Sequence, residues 1–247
     1  MITRKKKWID PTDANLLLVL VVSLFIASCS KEEEVASPRL TAYNERVVSY
    51  FKEVALGFEF GNATEITRRW EGNMNVFIGG QSTTDLISET NRIIDELNVL
   101  STTGYTIELV SDSLQSNFYI YFGSGASYAD LFPSVSNLVG SNWGLFTIFW
   151  DGSDKLIKGH MYVDVYRASL TEQKHLLREE LTQSLGLAKD SNSYPESIFQ
   201  QSFSTKTTEY APIDRDLIRL LYHPQMKVGL NREEVDSLLR DILLAEQ

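Results

Sequence analysis

Apolar residues recur every three or four positions in five segments of the chain, a spacing that is typical of amphipathic helices. Gly57 and Gly186 stand where the first and third of these segments would end. Ser169 and Glu172 form the capping-box pattern that begins the third segment, and Asn231 could cap the last one. The predicted helices cover residues 40–56, 83–100, 169–185, 213–222 and a final stretch that follows Asn231.

Short runs rich in β-branched and aromatic residues lie between these helices and predict strands. Two of the runs flank a turn at Asp151-Gly152 and therefore predict a hairpin-like pair. Residues 124–141, with scattered glycine, serine and proline, predict a loop that contains a short helix. The predicted strands cover residues 73–78, 105–110, 117–123, 144–150 and 159–166. This order predicts an α+β fold, in which a mixed twisted sheet is followed by C-terminal helices.

The first residues have a different pattern, in which basic positions 4–7 precede an apolar run at positions 16–27. A run of about a dozen residues is too short to cross a ~30 Å bilayer core, but it suits the apolar part of an export signal. The run ends at Ile26-Ala27-Ser28-Cys29, which resembles a lipobox. We therefore interpret residues 1–28 as a lipoprotein signal peptide and Cys29 as the lipidated N-terminus. An ordinary signal peptide with an incidental cysteine, or a short membrane anchor, is the alternative.

The residues that follow Cys29 are polar and acidic, with the sequence S-K-E-E-E at positions 30–34. Residues 29–40 would therefore form a solvated tether in front of a domain at 41–247. The acidic sequence also resembles the export signals of bacterial surface lipoproteins. That resemblance implies an outer-membrane lipoprotein, at the cell surface or on the periplasmic face, whose lipid anchor makes the membrane a partner. Cys29 is the only cysteine among 247 residues, so no intramolecular disulfide can form.

Charge narrows the choice of partners. The whole chain has a formal net charge of −10. Residues 1–28 hold four basic and two acidic residues, so the remainder has 19 Lys and Arg against 31 Asp and Glu, a charge of −12. A surface of this charge repels nucleic acids, because their binding requires clustered lysine and arginine, and the sequence contains no RNA- or DNA-binding motif. The composition therefore excludes nucleic acid as an expected partner.

The sequence HLLREELTQSLGLAKD at positions 175–190 resembles the active-site helix of zincin metalloproteases, with L-G-L setting the register. The resemblance places the two zinc-binding histidine positions of that family on Glu179 and Gln183. The further ligand position falls on Lys189, and the catalytic glutamate position falls on Glu180.

Other segments extend the resemblance. The sequence WGLFTIFW at 143–150 would be the edge strand that binds peptide in active zincins, and 213–222 resembles the closing helix of matrixin-like domains. Phe199 stands where metzincin-like chains place the methionine of their turn. Over about residues 70–230 the chain also resembles a family of bacterial lipoproteins of unknown function, through E-E-x-T-Q-x-L-G-L, S-I-F and L-Y-x-P. These resemblances imply a zincin-like fold with an active-site-type helix.

Ligand chemistry argues against zinc at this helix. Gln183 is a poor neutral ligand, and Lys189 would have to lose its proton. Without a metal, Glu180 has no activated water to deprotonate. We therefore expect no cofactor. We also expect a non-catalytic domain that binds a protein or peptide. Its cleft would be lined by His175, Glu179, Glu180, Gln183 and Lys189.

Two alternatives remain open. One is a divergent metal-dependent peptidase or hydrolase that uses Glu180 as its base. In it a metal would be held by His175 or Glu179. In a rearranged form of the site, His175 and Glu179, which are four residues apart on one helical face, would share the metal, and His160 and His223 would approach it from a strand and a loop. The other is a structural component of the cell envelope with no cleft function.

The zincin-like helix is expected to have two faces. A leucine stripe would pack on the core, and the polar face with Glu179 and Glu180 would line a cleft if the zincin fold holds. Arg178 has Thr182 in place of an acidic partner one turn on. We therefore expect the Arg178 side chain to lie on the surface.

Overall fold

The computed structural model describes residues 39–201 and 207–247, which form six α-helices and a five-stranded sheet. The predicted signal peptide at 1–28, Cys29 and most of the predicted tether lie outside the described residues. Within the described part of the chain, no helix is long and apolar enough to cross a membrane.

The helices and strands follow the predicted order. β1 continues through two glycines that were expected to end it, because Gly79 pairs with Tyr121 in the neighbouring strand. β5 begins at Leu156, earlier than the predicted position 159. In chain order the elements are α1 (Ala42–Val54), β1 (Met74–Gly80), α2 (Thr84–Leu100), β2 (Ile107–Leu109), β3 (Phe118–Gly123), α3 (Gly125–Leu131), β4 (Gly144–Trp150), β5 (Leu156–Asp164), α4 (Leu170–Gln183), α5 (Pro212–Leu221) and α6 (Arg232–Ala245).

The five strands form one mixed sheet in the order β2-β1-β3-β5-β4. β1 is parallel to β2 and β3, and β3 is parallel to β5, so helical or long connections must return the chain to the same end of the sheet. β4 is antiparallel to β5, which confirms the predicted pair on either side of the Asp151-Gly152 turn. β4 lies at the edge of the sheet and has β5 as its strand neighbour. The predicted α+β architecture with a mixed sheet and later helices is confirmed at this level.

The core lies on both faces of the sheet, because successive side chains of a strand point to opposite sides. Met161 and Val163 of β5 join the large core that includes the buried faces of α1, α2, α4, α5 and α6. Tyr162, between them, joins a smaller cluster on the other face with Tyr128 of α3. The helix α4 packs against both β4 and β5 on the larger side, and this packing sets the position of its polar face.

Local sequence signals fix both ends of α4. The predicted capping box is present: the Ser169 amide donates to Glu172 Oε2 at 2.6 Å, and the Glu172 amide donates to Ser169 Oγ at 3.5 Å. After the helix, Gly186 adopts a φ of 115°, in the region that favours glycine. A Cβ at this position would lie 2.0 Å from the Arg68 carbonyl oxygen, so the tight exit requires glycine.

The expectation that Arg178 lies on the surface is wrong. Its side chain is completely buried, and its guanidinium donates to the Glu96 carboxylate of α2 at 3.0 and 3.2 Å. The guanidinium carbon also lies 4.3 Å from the centroid of the Tyr210 ring. The acidic partner comes from a neighbouring helix and not from the next turn of α4. This ion pair locks one side of α4 into the core and leaves the opposite side free to line a site.

Candidate functional site

A cleft of about 860 Å³ lies between the edge strand β4 and the polar face of α4, a volume within the range of ligand sites in proteins. β4 forms one wall, and α4 forms another with His175, Glu179, Glu180 and Gln183. The loops after α1, before β4 and after α4 complete the lining. Four residues that the sequence assigned to the site therefore meet in one cleft.

The wall formed by β4 has backbone groups that pair with no strand of the described residues. The Asp164 amide donates to the Trp143 carbonyl at 2.7 Å, so this opposed pair is a hydrogen-bonded one. Hydrogen-bonded and non-hydrogen-bonded pairs alternate along antiparallel strands. From the register of β4 and β5, the N–H and C=O groups of Gly144, Phe146 and Ile148 therefore point away from β5, toward the free edge. These groups can form a ladder with an added strand.

On the helical wall, His175 and Glu179 pair with each other. His175 Nε2 lies 3.3 Å from Glu179 Oε2, and His175 Nδ1 lies 2.7 Å from the Thr207 carbonyl oxygen. Burial opposes protonation of the imidazole, but the Glu179 carboxylate outweighs it and raises the pKa of His175. Both ring nitrogens of His175 are thus engaged by oxygen atoms.

Gln183 is engaged by a residue that the sequence did not single out. Its Nε2 donates to Asp190 Oδ1 at 2.6 Å, across the loop that follows α4. Burial raises the pKa of the Asp190 carboxyl, and the bond from Gln183 opposes that shift. Asp190 lines the cleft, and the neighbouring Lys189 does not.

Glu180 stands out in the lining because it has no partner. Its side chain is 8% exposed, and within the described part of the chain no donor hydrogen-bonds or ion-pairs with its carboxylate. A Cβ added to Gly144 would lie 2.5 Å from Glu180 Oε1, so the glycine of β4 makes room for this carboxylate. Burial, followed by the charges of Glu179, Asp190 and Glu59, raises the pKa of Glu180 well above 4.5.

The cleft therefore holds four carboxyl groups close enough to perturb one another. Glu59 lies at the exposed rim, in the loop after α1, and its pKa is raised to about 7 by partial burial and by the charges of Asp190 and Glu179. Burial also raises the pKa of Glu179, against the opposing effect of His175. Negative charge is concentrated in a lining that otherwise contains many apolar groups.

Aromatic side chains form one end of the cleft. Phe58 and Trp150 stack with their ring centroids 5.3 Å apart. The guanidinium carbon of Arg68 lies 4.5 Å from the centroid of the Trp150 ring, and Arg68 also pairs with Asp154 at 3.0 Å. These contacts hold the aromatic end of the cleft in place.

The remaining residues assigned from the sequence lie elsewhere. Lys189 is directed out of the lining and pairs with Glu65 at 3.8 Å. His160 is buried on the other face of the sheet, where its Nδ1 lies 2.5 Å from the Tyr128 hydroxyl and burial lowers its pKa to about 4. His223 follows α5, and its Nδ1 accepts a bond from a local backbone amide at 3.2 Å. The alternative in which several histidines share one metal is not supported by these positions.

The donor set also does not fit the zinc that the resemblance to zincins implies. Glu179 is paired with His175, Gln183 is bonded to Asp190, and Lys189 points away. Within residues 39–201 and 207–247, no group of three or more His, Cys, Asp or Glu side chains is arranged to hold a metal ion. Zinc needs three or four nitrogen, sulfur or carboxylate ligands around one point, and these side chains do not provide them.

The fold and the cleft fall within one family match. The model of a protein family matches residues 44–241, which run from α1 into α6. The chain belongs to the family described as Protein of unknown function (DUF2927). The match is longer than the span of about residues 70–230 over which the sequence resembles a family of unknown function. No curated protein matches the chain.

In the DUF2927 domain, the S-I-F segment is held against α5 by one buried carboxylate. Ser197 Oγ and the Ile198 amide donate to Asp214 at 2.6 and 3.0 Å, and the Ala211 amide donates to it at 2.9 Å. Phe199 is completely buried. Because the next two residues of the chain line the cleft, this anchor fixes one of its walls.

Sequence reasoning missed Glu59 and Asp190. Glu59 lies in a loop with no periodic pattern, so no signal placed it opposite α4. Asp190 adjoins the predicted Lys189, and the zincin register selected the wrong member of that pair because the side chain directions in an irregular loop do not follow helical spacing. The excess of acidic over basic residues in the sequence was the one feature that could have suggested further carboxyl groups in the cleft.

Proposed function

We propose that this chain is a lipid-anchored, extracytoplasmic binding domain that holds an extended peptide or protein segment along β4, in a zincin-like fold without zinc chemistry. The observation that carries the proposal is the outer edge of β4, which no strand of the described residues pairs with, beside a cleft of about 860 Å³. A segment that adds to a free sheet edge gains main-chain hydrogen bonds, and adjacent pockets select its side chains.

The zincin-like part of the proposal is supported by two independent features. The sequence of α4 resembles the zincin active-site helix, and the strand that the resemblance assigns to peptide binding lies at the sheet edge. The absence of catalysis is proposed because the side chains at the ligand positions are bonded to other groups.

Hydrogen exchange of the full chain tests peptide binding along β4. We would add a pool of capped heptapeptides with alternating threonine and valine and follow the amides of residues 144–150. The proposal expects the outward amides of Gly144, Phe146 and Ile148 to become protected. Unchanged exchange at β4 at saturating peptide, or protection confined to another surface, would contradict it.

A backbone variant sharpens the test. Phe146→Pro removes one outward N–H at an edge position, where proline is tolerated. The matched control Phe146→Val keeps that N–H while also shortening the side chain. One lost hydrogen bond is worth about 1 kcal/mol, so proline should weaken peptide binding about fivefold relative to valine. Equal affinities would show that main-chain bonding at this edge is not used.

Lipid attachment is tested separately. The proposal rests on the lipobox-like sequence before Cys29, and it expects a labelled fatty acid to be incorporated into the chain in cells. Cys29→Ser should abolish the label and release the protein from the outer-membrane fraction. Equal labelling of both chains would exclude this anchor.

A divergent hydrolase is the second candidate, because a buried carboxyl with a raised pKa in a cleft is a feature of general acids and bases. Metal analysis of the purified full chain distinguishes the two. Stoichiometric zinc, together with a peptidase activity that disappears in Glu180→Gln, would replace the binding proposal.

A further inference from the structure

Among the described residues, no lysine or arginine of the lining matches the four carboxyl groups of the cleft. The one basic side chain in the lining is His175, which is paired with Glu179, and the described residues of the lining include no lysine or arginine. The nearest candidates by sequence, Lys189 and Arg68, pair with carboxylates outside the lining. A buried carboxylate normally has a cation or several donors beside it.

A second observation indicates where a positively charged ligand group would bind. Glu180 is 92% buried, is directed into the cleft and has no partner within the described part of the chain. Gln200 also lines the cleft, and its Oε1 is a buried acceptor for which the described residues provide no donor. Because the Glu180 carboxylate is directed into the cleft and has no donor among the described residues, it indicates a ligand that donates hydrogen bonds.

We infer that the cleft recognises a primary ammonium group of the bound segment, with Glu180 as its direct partner. This inference rests on the proposed function and gives it a ligand chemistry. An ammonium group is a compact cation with three donors and no acceptor, so it suits several acceptors that approach from different directions. The ammonium can come from a lysine side chain or from the amino terminus of a peptide.

The lining also suits the apolar stem that carries such a group. Phe146, Ile148 and Leu176 line the cleft beside Glu180, and Trp143 adds an aromatic face. Lysine buries its methylene chain along apolar surface while the charged end reaches polar groups. A divalent metal ion is the less suitable occupant, because no three donors of the described residues converge on one point.

Proton release would accompany binding of an ammonium group. The titratable groups that face Glu180 are Glu179 on α4, and Asp190 and Glu59 from the two loops. Tyr128 and Tyr162 belong to the cluster on the other face of the sheet and lie within electrostatic range of Glu180. The raised pKa values of the carboxyls mean that part of this cluster is protonated near neutral pH. An arriving cation favours the ionised forms, so affinity should increase between pH 6 and pH 8.

The experiment is calorimetric titration of the full chain with capped heptapeptides that differ at the central residue. The central residue is lysine, norleucine, arginine or glutamate, and a fifth peptide has central norleucine and a free amino terminus. We expect the lysine peptide, or the peptide with the free amino terminus, to bind at least tenfold more tightly than capped norleucine. The preference should increase from pH 6 to pH 8.

Glu180→Gln should reduce that preference to less than threefold. Gly144→Ala, which pushes a Cβ against the Glu180 carboxylate, should act in the same direction. Glu172→Gln, on the same helix but outside the lining, is the control and should leave the preference intact.

Several results would overturn the inference and leave the proposed function standing. These are equal binding of lysine and norleucine peptides, a preference that survives Glu180→Gln, or arginine bound as well as lysine. Stoichiometric zinc or calcium binding that requires Glu180 would also overturn it. If no peptide binds at all, the proposed function fails, and n-butylammonium alone then tests the cleft. A Glu180-dependent response to n-butylammonium supports the inference, and its absence refutes it.

Discussion

Replacing Glu180 by glutamine should make the protein more stable at neutral pH. The carboxylate is 92% buried and lacks a partner among the described residues, so its ionised form is unfavourable in the folded state. The raised pKa of Glu180 determines how the stability of the fold changes with pH. A carboxyl whose folded pKa lies above its unfolded value contributes stability that is complete below pH 4.5 and is lost as the pH rises. Glutamine has nearly the same shape and no charge, so it avoids that loss.

The magnitude follows from the same linkage. Each unit by which a folded pKa exceeds the unfolded one is worth about 1.4 kcal/mol. Single stabilising substitutions commonly gain about 0.5–2 kcal/mol. We therefore expect Glu180→Gln to gain about 1–2 kcal/mol at pH 8. For a chain of this size that corresponds to an increase in Tm of about 3–6 °C.

Urea unfolding of the full chain, followed by tryptophan fluorescence between pH 4 and pH 8, measures this gain. The difference between variant and wild type should be near zero at pH 4 and should increase with pH. Glu172→Gln is a control for which the expected change in stability has the opposite sign. The capping bond from Ser169 lowers the pKa of Glu172, so this substitution should slightly reduce stability at pH 8. A destabilised Glu180→Gln, or a gain equal at both pH values, would refute the reasoning.

Two further predictions concern buried groups outside the cleft. Arg178→Met should destabilise the fold by about 3 kcal/mol in urea unfolding, because it leaves Glu96 and Glu89 without their buried cation. His160→Gln should remove a pH dependence: with a folded pKa of about 4 against 6.5, wild type loses about 3 kcal/mol as the pH falls through that range.

Each of these has its own control. Arg92 pairs with the same two glutamates but is 40% exposed, so Arg92→Met should cost less than about 1 kcal/mol. Similar losses for the two arginine variants would contradict the assigned role of burial. For His160, nuclear magnetic resonance of the ring protons should show a midpoint near pH 4, and a midpoint near 6.5 would contradict the buried environment.

The helices and strands could be predicted because their signals are local. The capping box of Ser169 and Glu172 and the glycine at 186 lie within a few residues of the ends they define. Strand order and pairing are not local, and no pattern in β4 indicates which strand lies beside it. The burial of Arg178 was not predicted for the same reason, because its partner Glu96 lies on α2, far away in the sequence.

The site was predictable only as far as helical spacing reaches. Spacing along α4 correctly placed Glu179, Glu180 and Gln183 on one face, because positions three and four apart lie on the same side of a helix. It could not reveal that Gln183 hydrogen-bonds to Asp190, or that Glu59 lies at the rim of the same cleft. Those residues belong to loops, whose path depends on the packed fold.

The glycine at position 144 has a consequence for how the family's sequences can vary. Because a Cβ there would lie 2.5 Å from the carboxylate of Glu180, the two positions share one volume. Members of the family should therefore vary at these two positions together. Where position 144 carries a side chain, position 180 should hold a residue smaller than glutamate, and such members should have lost the selection for an ammonium group. In an alignment of family sequences, positions 144 and 180 should therefore appear as a covarying pair that links the edge strand β4 to the helix α4.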